Sequence, residues 1–381
     1  MFESVKRLCD SFIENGMPWF DLSVYQDGKE ILRYADGFSD VENGVRVNGK
    51  ERFNLYSCSK VITCVAAMQL WEKGAFSLDD RLSDYLPEFE NMTVKTDDGF
   101  RPAKRPIQIH NLFEMTSGLT YDRATENMLR ARKETGGKCP TREVMKYLAL
   151  DPLAFDPGDK WLYGLSHDVL AALVEVLSGQ KFDDYINEHI FAPLGMKDTA
   201  FVISKEERAT LAPLYDYDPE TQKAVSCGPE IPSYVIGTEY AAGGAGGVSS
   251  VDDYMKFIEG IRTRRLLKDG TVRLMKTDRL TDEQRPYFTM RSTHGYGLGI
   301  RCPKKDGVLD DYGWGGAAGS WLAIDDERKL SIFFGTHIAG SPFNSVRSYL
   351  YRFVLADLYG TFNAEELFDT IEKSQKYTVL Y

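Results

Sequence analysis

The 381-residue chain contains no CxxC pair, no HExxH or HxH cluster, no GxSxG elbow, no Lys/Arg cluster and no apolar run of membrane-spanning length. Each absence removes a class of function. The six cysteines (Cys9, Cys58, Cys64, Cys139, Cys227, Cys302) are scattered singly, which argues against a disulfide framework or a zinc site and for reduced thiols. The histidines (His110, His167, His189, His294, His337) are equally isolated, so neither a metal nor a metal hydrolase is indicated. A formal charge of −11 and a pI near 5.1 disfavour nucleic-acid and anionic-membrane partners and leave small-molecule chemistry. The longest apolar run, around Val61 to Trp71, is far below the roughly 20 residues needed to span a bilayer. The opening MFESVKRLCDSFIENG lacks the apolar core of a signal peptide; Phe2, Val5, Leu8, Cys9, Phe12 and Ile13 form one stripe of an amphipathic helix instead. A cytoplasmic location is expected, and nothing points to an oligomeric state.

What is present suits a large packed core, 43% of residues being hydrophobic and 12% aromatic. DLSVYQDGKEILRYADGFSD predicts two alternating strands about Asp27-Gly28, residues that tolerate positive φ. YSCSKVITCVAAMQLWEKG predicts a helix apolar on nearly every side, ended by Gly74 and therefore central. From Leu78 to Gly237 the pattern turns to helices and long loops (SLDDRLSDYL, IQIHNLFEMTSGL, TREVMKYLAL, SHDVLAALVEVLSG, FDDYINEHIF), with Pro87, Pro140, Pro152, Pro157 and Pro193 as breaks. GSWLAIDDERKLSIFFGTH then gives two strands around a DDER turn, and SVRSYLYRFVLADLYG a long terminal helix. The expectation is an α+β (α/β sandwich) fold: an antiparallel sheet flanked by helices, built from residues 1–77 and 238–381, with 78–237 inserted as a mainly helical domain. The site belongs in the cleft between them.

YSCSK holds two serines. Residues three apart share a helix face and adjacent ones do not, so Lys60 reaches Ser57 rather than Ser59. A serine needs its proton taken, and a lysine takes it only with a lowered pKa; burial and the helix N-terminus push in that direction. The backbone N–H of Ser57 is a first oxyanion donor. A second SxxK, Ser178 to Lys181, follows a helix ended at Gly179 and reads as a decoy. AAGGAGGVSS, from Ala241 to Ser250, fits no phosphate-binding pattern; close packing, with Ser250 capping the next helix, is its expected role.

YSCSK, FDPGDKWLYGLSHDVLAALVEVLSG and YGWGGAAGSWLAIDD occur in an order and spacing that resemble the serine β-lactamase and penicillin-binding-protein superfamily. The resemblance is to its class C-like branch and, within that, to the family VIII carboxylesterases. WEKGAFSLDDRLSDYLPEF, MTSGL, GGAGGVSSVDDYMKF and HGYGLGI extend it over about nine-tenths of the chain. It implies that Ser57 is the acylated nucleophile, Lys60 its proton-accepting partner and Tyr163 the second-motif tyrosine, a phenol with a depressed pKa. Trp314-Gly315-Gly316 stands where lactamases carry a KTG strand, and the N–H of Ala317 would be the second oxyanion donor. Leu165 occupies the position of an amide-gripping Asn, and Trp314 replaces the Lys that attracts a carboxylate while offering an apolar face and one N–H. Leu165, Trp314, Gly315 and Gly316 are thus expected beside a small uncharged ester, hydrolysed without any cofactor. Trp161, Tyr121 and Phe155 join Trp314 as candidate pocket walls. An amidase or D-aminopeptidase, an acyltransferase, and a silent binding protein of this fold stand as alternatives.

Overall fold

The computed structural model describes residues 1–228 and 234–375. A first helix, Glu3–Glu14 (α1), leads into a five-stranded antiparallel sheet drawn from both ends of the chain. Trp19–Gln26 (β1) and Lys29–Asp40 (β2) form the expected hairpin, and Asp27 and Gly28 take φ values of 50° and 80°, the twist a two-residue turn requires. Val45–Arg46 (β3) closes one edge. Trp321–Asp325 (β4) and Leu330–Gly335 (β5) supply the other side, giving the order β4-β5-β1-β2-β3.

Strand alternation sorts the core into two layers. Phe20, Leu22, Val24, Trp321, Ala323, Ile332 and Phe334 pack with Val5, Leu8 and Phe12 of α1 and with Leu350, Phe353 and Val354 of the terminal helix. Trp19, Leu322, Ile324 and Phe333 face the opposite way, into the main core. That core surrounds Ser59–Glu72 (α2), which is buried at every position from Ser59 to Met68, as its all-round apolar pattern predicts. Against it packs Ser166–Ser178 (α3), stopped by Gly179 at φ 71°. Val251–Arg262 (α4), capped by Ser250 Oγ accepting from the Asp253 N–H at 3.3 Å, lies under β5.

The structure departs from expectation in several segments. SLDDRLSDYL makes only a 3-10 turn at Leu82–Asp84, because Asp80 takes the Ser77 N–H and the Tyr85 hydroxyl and turns the chain locally. FDDYINEHIF is helical over Phe182–Ile186 and then widens into a π-turn over Asn187–Phe191. The terminal helix divides into Phe343–Val346 and Tyr349–Tyr359. Two hairpins of four-residue strands, Thr93–Thr96 with Gly99–Pro102 and Tyr215–Asp218 with Lys223–Ser226, interrupt the helical region; such short strands leave little periodicity to read.

Leu170 of α3 is fully buried, so Leu170→Ala should cost about 2–5 kcal/mol in urea unfolding. A change under about 1 kcal/mol would show that α3 is not core-bearing. Buried histidines add a pH dependence. Burial, then the Lys60 ammonium, hold His167 down to about 3, and burial holds His337 down to about 4, below the ordinary 6.5. Between the folded and unfolded values the unfolded chain binds more protons, so these groups make stability rise with pH. Asp21, raised by burial to about 6 despite Arg33, acts in the opposite sense. His337→Gln should therefore lower the slope of unfolding free energy against pH between 4 and 6.5 by up to about 1.4 kcal/mol per pH unit, and an unchanged slope would contradict the assignment.

Candidate active site

The two serines of YSCSK are separated by local geometry. Tyr56–Cys58 form a 3-10 turn entered by Tyr56 at φ 48°, a left-handed conformation rare for an aromatic residue, and α2 begins at Ser59. The Tyr56 ring stands edge-on to Tyr234, with centroids 5.1 Å apart. Ser59 Oγ is fully buried and accepts the Gly247 N–H at 2.9 Å. Ser57 is 9% exposed, with Lys60 Nζ 3.3 Å from its Oγ. The other SxxK is dispersed: Ser178 Oγ donates to Val174 O, and Lys181 pairs with Glu239.

Lys60 is completely buried. Its ammonium donates to Gly244 O at 2.6 Å, Tyr121 OH at 3.2 Å and Ser57 Oγ, and it lies 4.5 Å from the Tyr163 ring centroid and 5.2 Å from that of Tyr121. The glycine-rich loop is packed as closely as its sequence suggests. A Cβ on Gly244 would meet Asp168 Oδ2 at 2.6 Å and Lys60 Nζ at 3.3 Å, while Gly243 O accepts from Thr63 Oγ1 at 2.7 Å. Burial pushes the Lys60 pKa down, but Tyr121, Tyr163 and Asp168 push it up further, and the net shift is upward. The expected depression is thus corrected, because the acidic groups around the ammonium outweigh the helix terminus and desolvation.

Tyr163 is carried on FDPGDKWLYG, which is stitched to MTSGL by Leu162 N–H to Met115 O at 2.8 Å and Leu165 N–H to Thr120 O at 3.1 Å. Only a glycine fits at Gly164, where a Cβ would lie 2.0 Å from Leu119 O. The Tyr163 ring stacks with Tyr121 (5.6 Å), Trp161 (5.9 Å) and Trp314 (5.8 Å), and its hydroxyl accepts from Trp314 Nε1 at 3.0 Å. Burial raises the Tyr163 pKa, and the Lys60 charge with hydrogen bonds to Ser57 and Lys60 offsets this only in part. A depressed phenol was expected; desolvation prevails. Trp314 therefore spends its N–H on Tyr163 instead of offering it outward. Phe155 lies outside this row, its backbone against Gly118, and Leu165 is fully buried in the core rather than facing open space.

Gly315 bridges to Trp321 at the edge of the sheet, and Gly316 presses on the chain leading into Ser57: a Cβ there would be 2.3 Å from Leu55 O and 2.3 Å from Ser320 Oγ. Arg347 donates to Gly316 O at 2.6 Å and to Ser320 O at 2.9 Å, and Asn344 Nδ2 donates to Ala317 O at 3.1 Å, which fixes the loop. Ala317 is exposed beside it. Burial pulls the Arg347 pKa down to about 10, so it remains a cation at neutral pH. Among the described residues no group of three or more His, Cys, Asp or Glu side chains is placed to hold a metal, and no helix is long and apolar enough to cross a membrane.

Ser57, Lys60, Tyr163 and Trp314 thus form one connected cluster, with the Gly316–Ala317 backbone against its approach. Sequence reasoning treated Tyr121 only as a pocket wall and missed Gly244 O and Asp168 altogether. Their signal lies in long-range packing, since Gly244 is 184 residues from Lys60.

A model of the beta-lactamase family matches residues 6–356. The chain belongs to the beta-lactamase family, and it is a carboxylesterase-like serine hydrolase with that family's mixed, antiparallel-sheet fold. Protein Rv1367c of Mycobacterium tuberculosis is 30% identical over 364 residues, covering 87% of this chain and 88% of the relative. Esterase EstB of Burkholderia gladioli is 30% identical over 347 residues, covering 83% and 85%. Among solved structures, EstCE1, a hydrolase with promiscuous acyltransferase activity, superposes with a TM-score of 0.75 at 25% identity, over 92% of this chain and 98% of that one.

Gly316→Ala must force the loop away from Leu55 O, so ester turnover should fall by about 100-fold or more and the melting temperature should drop with it. Wild-type turnover in that variant would separate this loop from catalysis.

Proposed function

We propose that the protein hydrolyses small uncharged carboxylic esters through an acyl-enzyme at Ser57. The observation that carries this reading is the 3.3 Å approach of the buried Lys60 ammonium to Ser57 Oγ, inside a cage shared with the Tyr163 phenol. Ser57 Oγ attacks the ester carbonyl as the Lys60–Tyr163 pair takes its proton, and the N–H groups of Ser57 and Ala317 receive the oxyanion. The pair returns the proton to the leaving alkoxide; it then takes a proton from water, which attacks the acyl carbonyl, and passes that proton to Ser57 Oγ as the Oγ–acyl bond breaks and the acid leaves. Trp314 N–H stabilises whatever negative charge the Tyr163 oxygen acquires, and its indole, with Gly315 and Gly316, flanks an apolar substrate. Lys60 Nζ lies 4.5 Å from the Tyr163 ring centroid, so the base is read as the pair and not as either residue alone.

Absence of a lysine at Trp314 supports uncharged substrates over β-lactam carboxylates. Transfer of the acyl group to an alcohol in place of water is a second reading, favoured by the acyltransferase activity of EstCE1. The six cysteines, scattered without a CxxC pair, support a cytoplasmic setting.

Hydrolysis of p-nitrophenyl acetate and butyrate should be at least about 10³-fold slower in Ser57→Ala than in the wild type, with a chromogenic cephalosporin turned over poorly by both. Retained ester activity in the variant would overturn the mechanism. Because the pair holds its proton tightly, its basic form grows as pH rises, and kcat/KM should climb from pH 6 to 9. A profile flat or falling over that range would contradict a base of this kind.

A further inference from the structure

We propose that a second cavity, behind the Tyr234 and Tyr240 rings, binds an apolar molecule carrying one anionic head group, a carboxylate or a phosphate. The cavity measures about 460 Å³, within the range of small-molecule sites, and its lining includes none of Ser57, Lys60, Tyr163 or Trp314. Phe201, Val202, Ile203 and the two tyrosines give it apolar walls, and among the described residues its charged lining is Arg132, Lys205 and Arg208, with no carboxylate. Among the described residues none of these cations forms an ion pair, although the chain carries 57 acidic against 46 basic residues. Arg208 is half-buried, and its guanidinium meets neutral groups, Asn54 Oδ1 at 3.4 Å and the Tyr234 hydroxyl beside it. A guanidinium set beside apolar walls with no counter-charge is an anion site, since the desolvation it suffers is offset only when a carboxylate or phosphate arrives. Arg132 and Lys205 are exposed and add positive charge around the same cavity.

The site adjoins the reaction centre through its rings. Tyr240 OH donates to Asp168 Oδ1 at 2.9 Å, Asp168 lies beside Lys60 across Gly244, and Tyr234 is the edge-on partner of Tyr56. An apolar acid is also what ester hydrolysis at Ser57 releases. That connection rests on the proposed reaction; the binding site does not.

The test is calorimetric titration of octanoate, octyl phosphate and 1-octanol into full-length Ser57→Ala, which removes turnover from the measurement. Saturable binding of at least one anion is expected, with octanol at least tenfold weaker, and the tighter anion identifies the head group. Arg132→Gln with Lys205→Gln, exposed changes that leave the core intact, should weaken the anion about tenfold and reduce its salt dependence. Absence of saturable anion binding, equal affinity for octanol, or unchanged affinity in the double variant would each overturn the proposal, whatever the outcome for ester hydrolysis.

Discussion

The structure is organised around a charge in the wrong place: the Lys60 ammonium, fully buried in the first turns of the most enclosed helix of the protein. An unpaired ammonium there would cost several kcal/mol, so the surrounding chain has to supply acceptors and polarisable faces. It does so from widely separated segments. Gly244 O, Tyr121 OH and Ser57 Oγ accept its protons, and the rings of Tyr121 and Tyr163 face it. Holding these at hydrogen-bond distance is what makes the glycine-rich loop necessary, since a methyl group at Gly244 would strike both Asp168 and the lysine.

The same constraint shapes the substrate side. Trp314 is not simply an apolar replacement for a carboxylate-binding lysine. Its N–H is committed to the Tyr163 oxygen and its ring to the stack, so it completes the polar surroundings of the Tyr163 phenol and brings no positive charge there. Arg347 and Asn344 then secure the Gly316–Ala317 backbone against the turn that presents Ser57. One serine of YSCSK faces this assembly; the other, Ser59, ties α2 to Gly247.

Much of this was legible in the chain. The hairpin at Asp27-Gly28, the antiparallel sheet from both termini, the buried helix and the Ser57–Lys60 pairing follow from period, turn chemistry and spacing, which are local properties. The cap at Ser250 and the decoy at Ser178 were readable for the same reason. Hidden were the features made by packing between distant segments: the carbonyl of Gly244, the hydroxyl of Tyr121, the burial of Leu165 and the occupied N–H of Trp314. The sign of the Lys60 shift was missed on this account. Helix position and burial are visible in sequence, whereas the phenols and carboxyl that outweigh them reach Lys60 only through the fold. The short hairpins at Thr93–Pro102 and Tyr215–Ser226 escaped because four-residue strands barely alternate.

The central claim is that Lys60 activates Ser57, and covalent labelling by a fluorophosphonate followed by peptide mass mapping addresses it directly. The account predicts a single adduct on Ser57, formed at least about 100-fold more slowly in Lys60→Met. An adduct on Ser59 or elsewhere, or equal labelling rates in the two proteins, would contradict it.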